Sequence, residues 1–161
     1  MSDQTYQNLC RLIHQHSRIH LTPNKLILLS SRLGKRVREL GLSSWDDYLH
    51  WLQQHRESEL DTLIDLIATN HTHFFREIVH FEKVSSQLLN ELLRHSPTAG
   101  QVQRCWSAAS SSGEEAFSLA IVLSEYAAQK PGGLRWQIDA TDISNRAIQK
   151  ARQAVYPMDR L

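Results

Sequence analysis

The chain has 161 residues, 41% of them hydrophobic, and a formal charge of +1; it can bury a core but carries no global electrostatic signature of a nucleic-acid binder. Cys10 and Cys105 lie far apart with no paired or metal-ligand spacing, which fits a reduced cytosolic setting. The first residues include Asp3 and Gln4 rather than a long apolar run, so they resemble neither a signal peptide nor a membrane span, and a soluble cytoplasmic protein is expected.

Residues up to about Thr69 read as a set of four helices. Thr5 to Gln15 places Leu9, Leu12 and Ile13 on one face. Thr22-Pro23 supplies an N-cap followed by proline at the first helical position, and Gly41 stands past the end of the next helix, Lys25 to Leu40. Ser44-Trp45-Asp46-Asp47 resembles a capping box with a short acid. Glu57 to Ala68 gives the fourth amphipathic segment. A longer helix is expected from Glu77 to His95, with Phe81, Val84, Leu88, Leu89 and Leu92 facing inward, until Pro97 and Gly100 break it.

The Lys25–Leu40 helix carries an apolar stripe of Leu26, Leu29, Leu33, Val37 and Leu40, edged by Lys25, Arg32 and Arg36 and extended by Lys35 and Arg38. By itself such a charge run is usually a solvated face.

Beyond Gly100 the pattern changes. Val102-Gln-Arg-Cys-Trp106 alternates as a buried strand does, and Phe117, Leu119, Ala120, Val122 and Leu123 recur at helical spacing. Between them lies Ser107-Ala-Ala-Ser-Ser-Ser-Gly113-Glu114-Glu115, a turn of small residues where a ligand can approach the backbone. Glu114 and Glu115 would repel a phosphate there, so a neutral or cationic ligand with hydroxyl and amine groups fits better, S-adenosylmethionine being one. Leu134 to Ala140 reads as a second strand leading to Asp142, which either accepts hydrogen bonds from ribose hydroxyls, as acids do at that place in doubly wound folds, or caps a helix. Ser144 offers an alternative cap.

Three blocks make the chain similar to the CheR-type chemoreceptor methyltransferases: Thr69-Asn-His-Thr-His-Phe-Phe-Arg-Glu77, Trp106 through Ala120, and Ala140-Thr-Asp-Ile-Ser144 followed by Lys150-Ala-Arg. Within the second block Ser110, Ala116 and Phe117 depart from the residues common in the family, with loss of a phenolic hydroxyl at Phe117. The resemblance implies an α/β chain: an all-α N-terminal helical domain (1–76), a connecting helix and linker (77–100), and the first part of a doubly wound, Rossmann-like methyltransferase domain (101–161). It further implies that family members continue well past the second strand, that Leu161 is not a natural terminus, and that the state is a monomer or an oligomer formed through an open sheet edge.

The chemistry implied by the resemblance is transfer of the methyl group of S-adenosylmethionine to glutamate side chains of chemotaxis receptors, giving methyl esters and S-adenosylhomocysteine. Glutamate is already ionised near neutral pH, so the work is positioning; neither a general base nor a metal is required. His71 and His73 alternate around Thr72 without a third ligand, poor evidence for a metal site. Asn70, Thr72, Arg76, Glu115 and Asp142 fall on the cofactor-facing positions. Arg76 is the catalytic candidate, orienting a carboxylate of cofactor or substrate, or else forming a salt bridge. Glu115 binds ribose or the amino group, or favours a helix N-terminus. Phe74 and Phe75 are read as packing residues that fix this segment, with contact to adenine as the alternative. Arg32 and Arg36 are expected to help bind the acidic receptor region, with the receptor's cytoplasmic domain as partner. The alternatives are a non-catalytic receptor- or signalling-protein-binding module and, less favoured, a nucleic-acid binder.

Overall fold

The computed structural model describes residues 1–22, 25–95, 102–130 and 134–158. Two compact units divide the chain, one of Met1–Thr69 with Ile143–Asn145, the other of Asn70–Asp142 with Arg146–Leu161. The division falls before the Asn70–Arg76 block rather than after it, because the backbone N–H of Phe75 donates to Ser118 Oγ in the second unit at 2.9 Å and the Phe75 ring meets Phe81 edge to face.

The first unit contains α1 (Asp3–Ser17), α2 (Leu26–Glu39), α3 (Trp45–Gln54) and α4 (Arg56–Ile67). The helical stripes read from sequence form its core: Leu9 and Ile13 from α1, Leu29, Leu33 and Val37 from α2, Tyr48 and Leu52 from α3, and Leu60 and Leu63 from α4 are buried. Leu12, Leu26 and Leu40 are partly buried against them. Ser44 caps α3 by accepting from the Asp47 N–H at 3.0 Å. The expected start of α2 involves Pro23, which lies outside the described residues; Lys25 N–H donates to Thr22 O at 2.8 Å just ahead of the helix.

A buried polar knot joins three of these helices. Arg36 of α2 donates through Nε and Nη2 to both carboxylate oxygens of Glu59 in α4, at 3.0 and 2.6 Å, and Tyr48 of α3 donates its hydroxyl to the same carboxylate. Glu59 is 2% exposed, so this paired arrangement keeps its charge from being buried alone. Burial and the adjacent Glu59 charge push the Tyr48 hydroxyl pKa up, and the Glu59 hydrogen bonds raise that of Arg36.

In the second unit, α5 (Ile78–Lys83), a π-helical turn (Val84–Leu88) and α6 (Leu89–His95) stand where one regular helix was expected. The wider turn shifts the helical phase: Leu89 is buried, whereas Leu88, expected to face inward, is 48% exposed. Pro97 and Gly100 lie outside the described residues. Strand β1 (Val102–Ala108) leads through the turn into α7 (Glu114–Ala128), then to β2 (Arg135–Thr141) and α8 (Asn145–Gln153). The strands pair in parallel, with Val102 opposite Arg135 and Ala108 opposite Thr141. Cys105, Trp136 and Ile138 pack with Leu89, Leu123 and Tyr126. On the other face Arg104 and Trp106 are open to solvent, so β1 is covered on one side only, in contrast to the buried strand its alternation suggested. Among the described residues no helix is long and apolar enough to cross a membrane.

Candidate functional site

The turn between β1 and α7 holds three left-handed residues in alternation, Ala109, Ser111 and Gly113, with φ of 58°, 51° and 99°. Small residues and glycine are needed for that path because larger side chains are strained in this region. Two hydrogen bonds fix it to the end of β2: the Ser110 N–H donates to Thr141 O at 2.9 Å and the Ser111 N–H to Asp142 Oδ2 at 2.8 Å. Asp142 therefore sits at the strand end expected of it, and its carboxylate helps to shape the turn.

Both acids opening α7 are engaged. Glu114 is fully buried, with Ser112 Oγ donating to Oε2 at 2.7 Å, while Glu115 is exposed and accepts from Ser107 Oγ at 2.7 Å. A buried carboxylate thus occupies the anion-favouring end of the helix, which disfavours a phosphate there. The buried Ser110 Oγ and Ser111 Oγ meet no hydrogen-bond partner among the described residues. Unpaired buried hydroxyls are costly, and a ligand carrying hydroxyl and amine groups suits such a turn, as S-adenosylmethionine does.

The Asn70–Arg76 block is tied to the same unit. Ser118 accepts from the Phe75 N–H and donates its own hydroxyl to Glu114 O at 2.7 Å, linking the block to the first turn of α7. Phe75 and Glu77 have positive φ, and Glu77 immediately precedes α5. Arg76 is exposed and Nη1 donates to His71 O at 2.9 Å, folding the guanidinium back over its own segment. Asn70 is exposed and Thr72 half-buried.

Tyr156, which sequence reasoning did not single out, closes the arrangement. Its hydroxyl donates to Ser112 O at 2.6 Å, and its ring meets Phe74 at 4.9 Å and Phe117 at 5.8 Å, both edge to face. Burial and the negative charge of Glu114 raise its pKa. Ser107, Ser112 and Ser118 were not singled out either; the serine-rich composition marks the turn but not that Ser107 and Ser112 bond the two acids, nor that Ser118 in α7 bonds the Glu114 carbonyl.

Residues 4–68 match the CheR methyltransferase all-alpha domain and residues 70–161 the CheR methyltransferase SAM binding domain. The chain belongs to the CheR methyltransferase family. Proteins named chemotaxis protein methyltransferase are similar to it: that of Salmonella typhimurium is 36% identical over 100% of this chain and 53% of its own length, and that of Escherichia coli 34% identical over the same shares. The one from Borreliella burgdorferi is 34% identical over 95% of this chain and 55% of its own. The chain spans about half the length of the curated relatives it matches. Asn70, Thr72, Arg76, Glu115 and Asp142 all fall within the matched residues 70–161, whereas Arg32 and Arg36 belong to the helical unit. There Arg36 is held by Glu59, and Arg32 Nη1 donates to the carbonyls of Leu66, Ile67 and Ala68 at the end of α4, the shortest at 2.8 Å.

Proposed function

We propose that the protein acts in S-adenosylmethionine-dependent methylation of glutamate side chains on the cytoplasmic domains of chemotaxis receptors, in the cytoplasm, with S-adenosylhomocysteine as product. The observation that carries this reading is the Ser111–Asp142 hydrogen bond, which holds a strained small-residue turn against the acid ending the neighbouring parallel strand. When bound, the cofactor supplies an electrophilic methyl group.

The chain's own residues bind and orient. Asp142 and Glu115 accept hydrogen bonds from ribose hydroxyls or the amino group, and Asn70 and Thr72 add short polar contacts. Arg76 exchanges its bond to His71 O for a carboxylate, which its planar guanidinium binds in a fixed orientation. A receptor glutamate is ionised near neutral pH, so no residue is needed to remove a proton from it. Arg32 and Arg36 serve receptor encounter through the positive field of α2, since both are bonded within the helical unit; Lys25, Lys35 and Arg38 stand exposed beside them.

Calorimetry with S-adenosylhomocysteine tests this reading, with Asp142→Ala as the paired variant. Saturable binding weakened about tenfold or more by the substitution is expected, the scale of losing a hydrogen bond to a charged group. A folded chain without affinity, or an affinity insensitive to Asp142→Ala, would refute a cofactor site here. Receptor binding without cofactor affinity would select the non-catalytic docking reading instead.

A further inference from the structure

We propose that Tyr156 is a positioning residue for the turn that receives the cofactor; this rests on the methyltransferase reading given above. Tyr156 follows α8, yet its hydroxyl donates to Ser112 O at 2.6 Å, at the apex of the turn. A carbonyl in that place is held by a side chain from a distant part of the chain. The neighbouring backbone is strained, with the non-glycine residues Ala109 and Ser111 both at positive φ, so the path is maintained only while its surroundings enforce it.

The tyrosine also constrains the turn by occupying space. A Cβ added at Gly113 would lie 2.9 Å from the Tyr156 oxygen, 3.0 Å from Ala151 Cβ and 3.1 Å from the Phe117 ring. Through its ring contact with Phe74 it joins the turn to the Asn70–Arg76 block. One side chain therefore couples two segments assigned to the cofactor, although neither lies near it in sequence. The predicted role is to hold both segments in register before ligand arrives, without itself touching the reacting atoms.

Tyr156→Phe keeps the ring and removes the hydrogen bond. Tyr126→Phe is the matched control: its hydroxyl donates to Asn90 Oδ1 at 2.7 Å within the same unit but away from the turn. Amide hydrogen exchange is measured on both variants and on the unaltered chain without ligand, followed by S-adenosylhomocysteine calorimetry. Tyr156→Phe is expected to speed exchange over residues 110–114 about fivefold beyond Tyr126→Phe and to weaken binding by a similar factor, as losing one hydrogen bond implies. Equal exchange in the two variants overturns the inference, as does faster exchange with unchanged affinity. If the unaltered chain does not bind, the functional reading fails separately and the exchange comparison alone decides whether Tyr156 positions the turn.

Discussion

Arg36 and Lys35 are adjacent cations on one helix with opposite settings. Lys35 reaches Glu39 at 3.7 Å with both side chains largely in solvent, whereas Arg36 makes a bidentate pair with a Glu59 side chain that is 3% exposed. Solvent screens the first pair and leaves little to gain from it; the second cannot be broken without leaving a buried carboxylate without its cation. Arg36→Gln is expected to destabilise the helical unit by about 2–3 kcal/mol, less than a fully buried pair because Arg36 is itself part-exposed, and Lys35→Gln by under about 0.5 kcal/mol. Denaturant unfolding followed by far-UV circular dichroism compares them, and equal effects would contradict the assignment. It follows that lost receptor binding after charge reversal at Arg32 or Arg36 does not by itself identify a docking contact. Their position beside an apolar stripe was legible in sequence, but their partners Glu59 and the α4 carbonyls were not, since those contacts depend on how distant helices pack.

At the scale of elements, the turn before α7 depends on one glycine more than on its serines. Gly113 combines a φ of 99° with neighbours at about 3 Å on the side where a Cβ would stand. Gly113→Ala is expected to cost about 2 kcal/mol or more, because backbone strain adds to the clash, while Ala109 and Ser111 tolerate their left-handed angles only through the hydrogen bonds around them. Thermal unfolding of Gly113→Ala beside Gly34→Ala checks this, for Gly34 lies within α2 with only the far end of Arg38 at 3.6 Å from an added Cβ. A smaller loss at Gly113 than at Gly34 would refute it. The small-residue run between a strand pattern and a helix pattern, with an acid after the next strand, made this element and Asp142 readable in advance. Two features escaped. The π-helical turn leaves no mark because Leu88 and Leu89 are both apolar, so either satisfies a helical stripe. Tyr156 has only Ala154, Val155 and Pro157 for context, and its partners Ser112 and Phe74 come from elsewhere in the chain.

For the whole molecule, the two units differ in how much apolar surface they close off. The helical unit fully buries Leu9, Ile13, Leu33, Tyr48 and Leu63 from four helices, whereas the second unit centres on Leu89, Leu123 and Tyr126 beneath a two-stranded sheet with one open face. Two strands are a marginal sheet unless well covered, so the second unit should unfold at lower denaturant. The tryptophans divide conveniently between them: Trp45 and Trp51 lie in the helical unit, Trp106 and Trp136 in the other. Fluorescence of a variant keeping only the first pair, compared with one keeping only the second, is expected to give two separate midpoints. S-adenosylhomocysteine should raise the lower midpoint and leave the upper one in place, because a ligand stabilises only the fold that binds it, by about 2.7 kcal/mol at a hundred times its dissociation constant. Coincident midpoints would mean that the units unfold as one despite their separate cores, and a ligand shift of the upper midpoint alone would move the binding site into the helical unit.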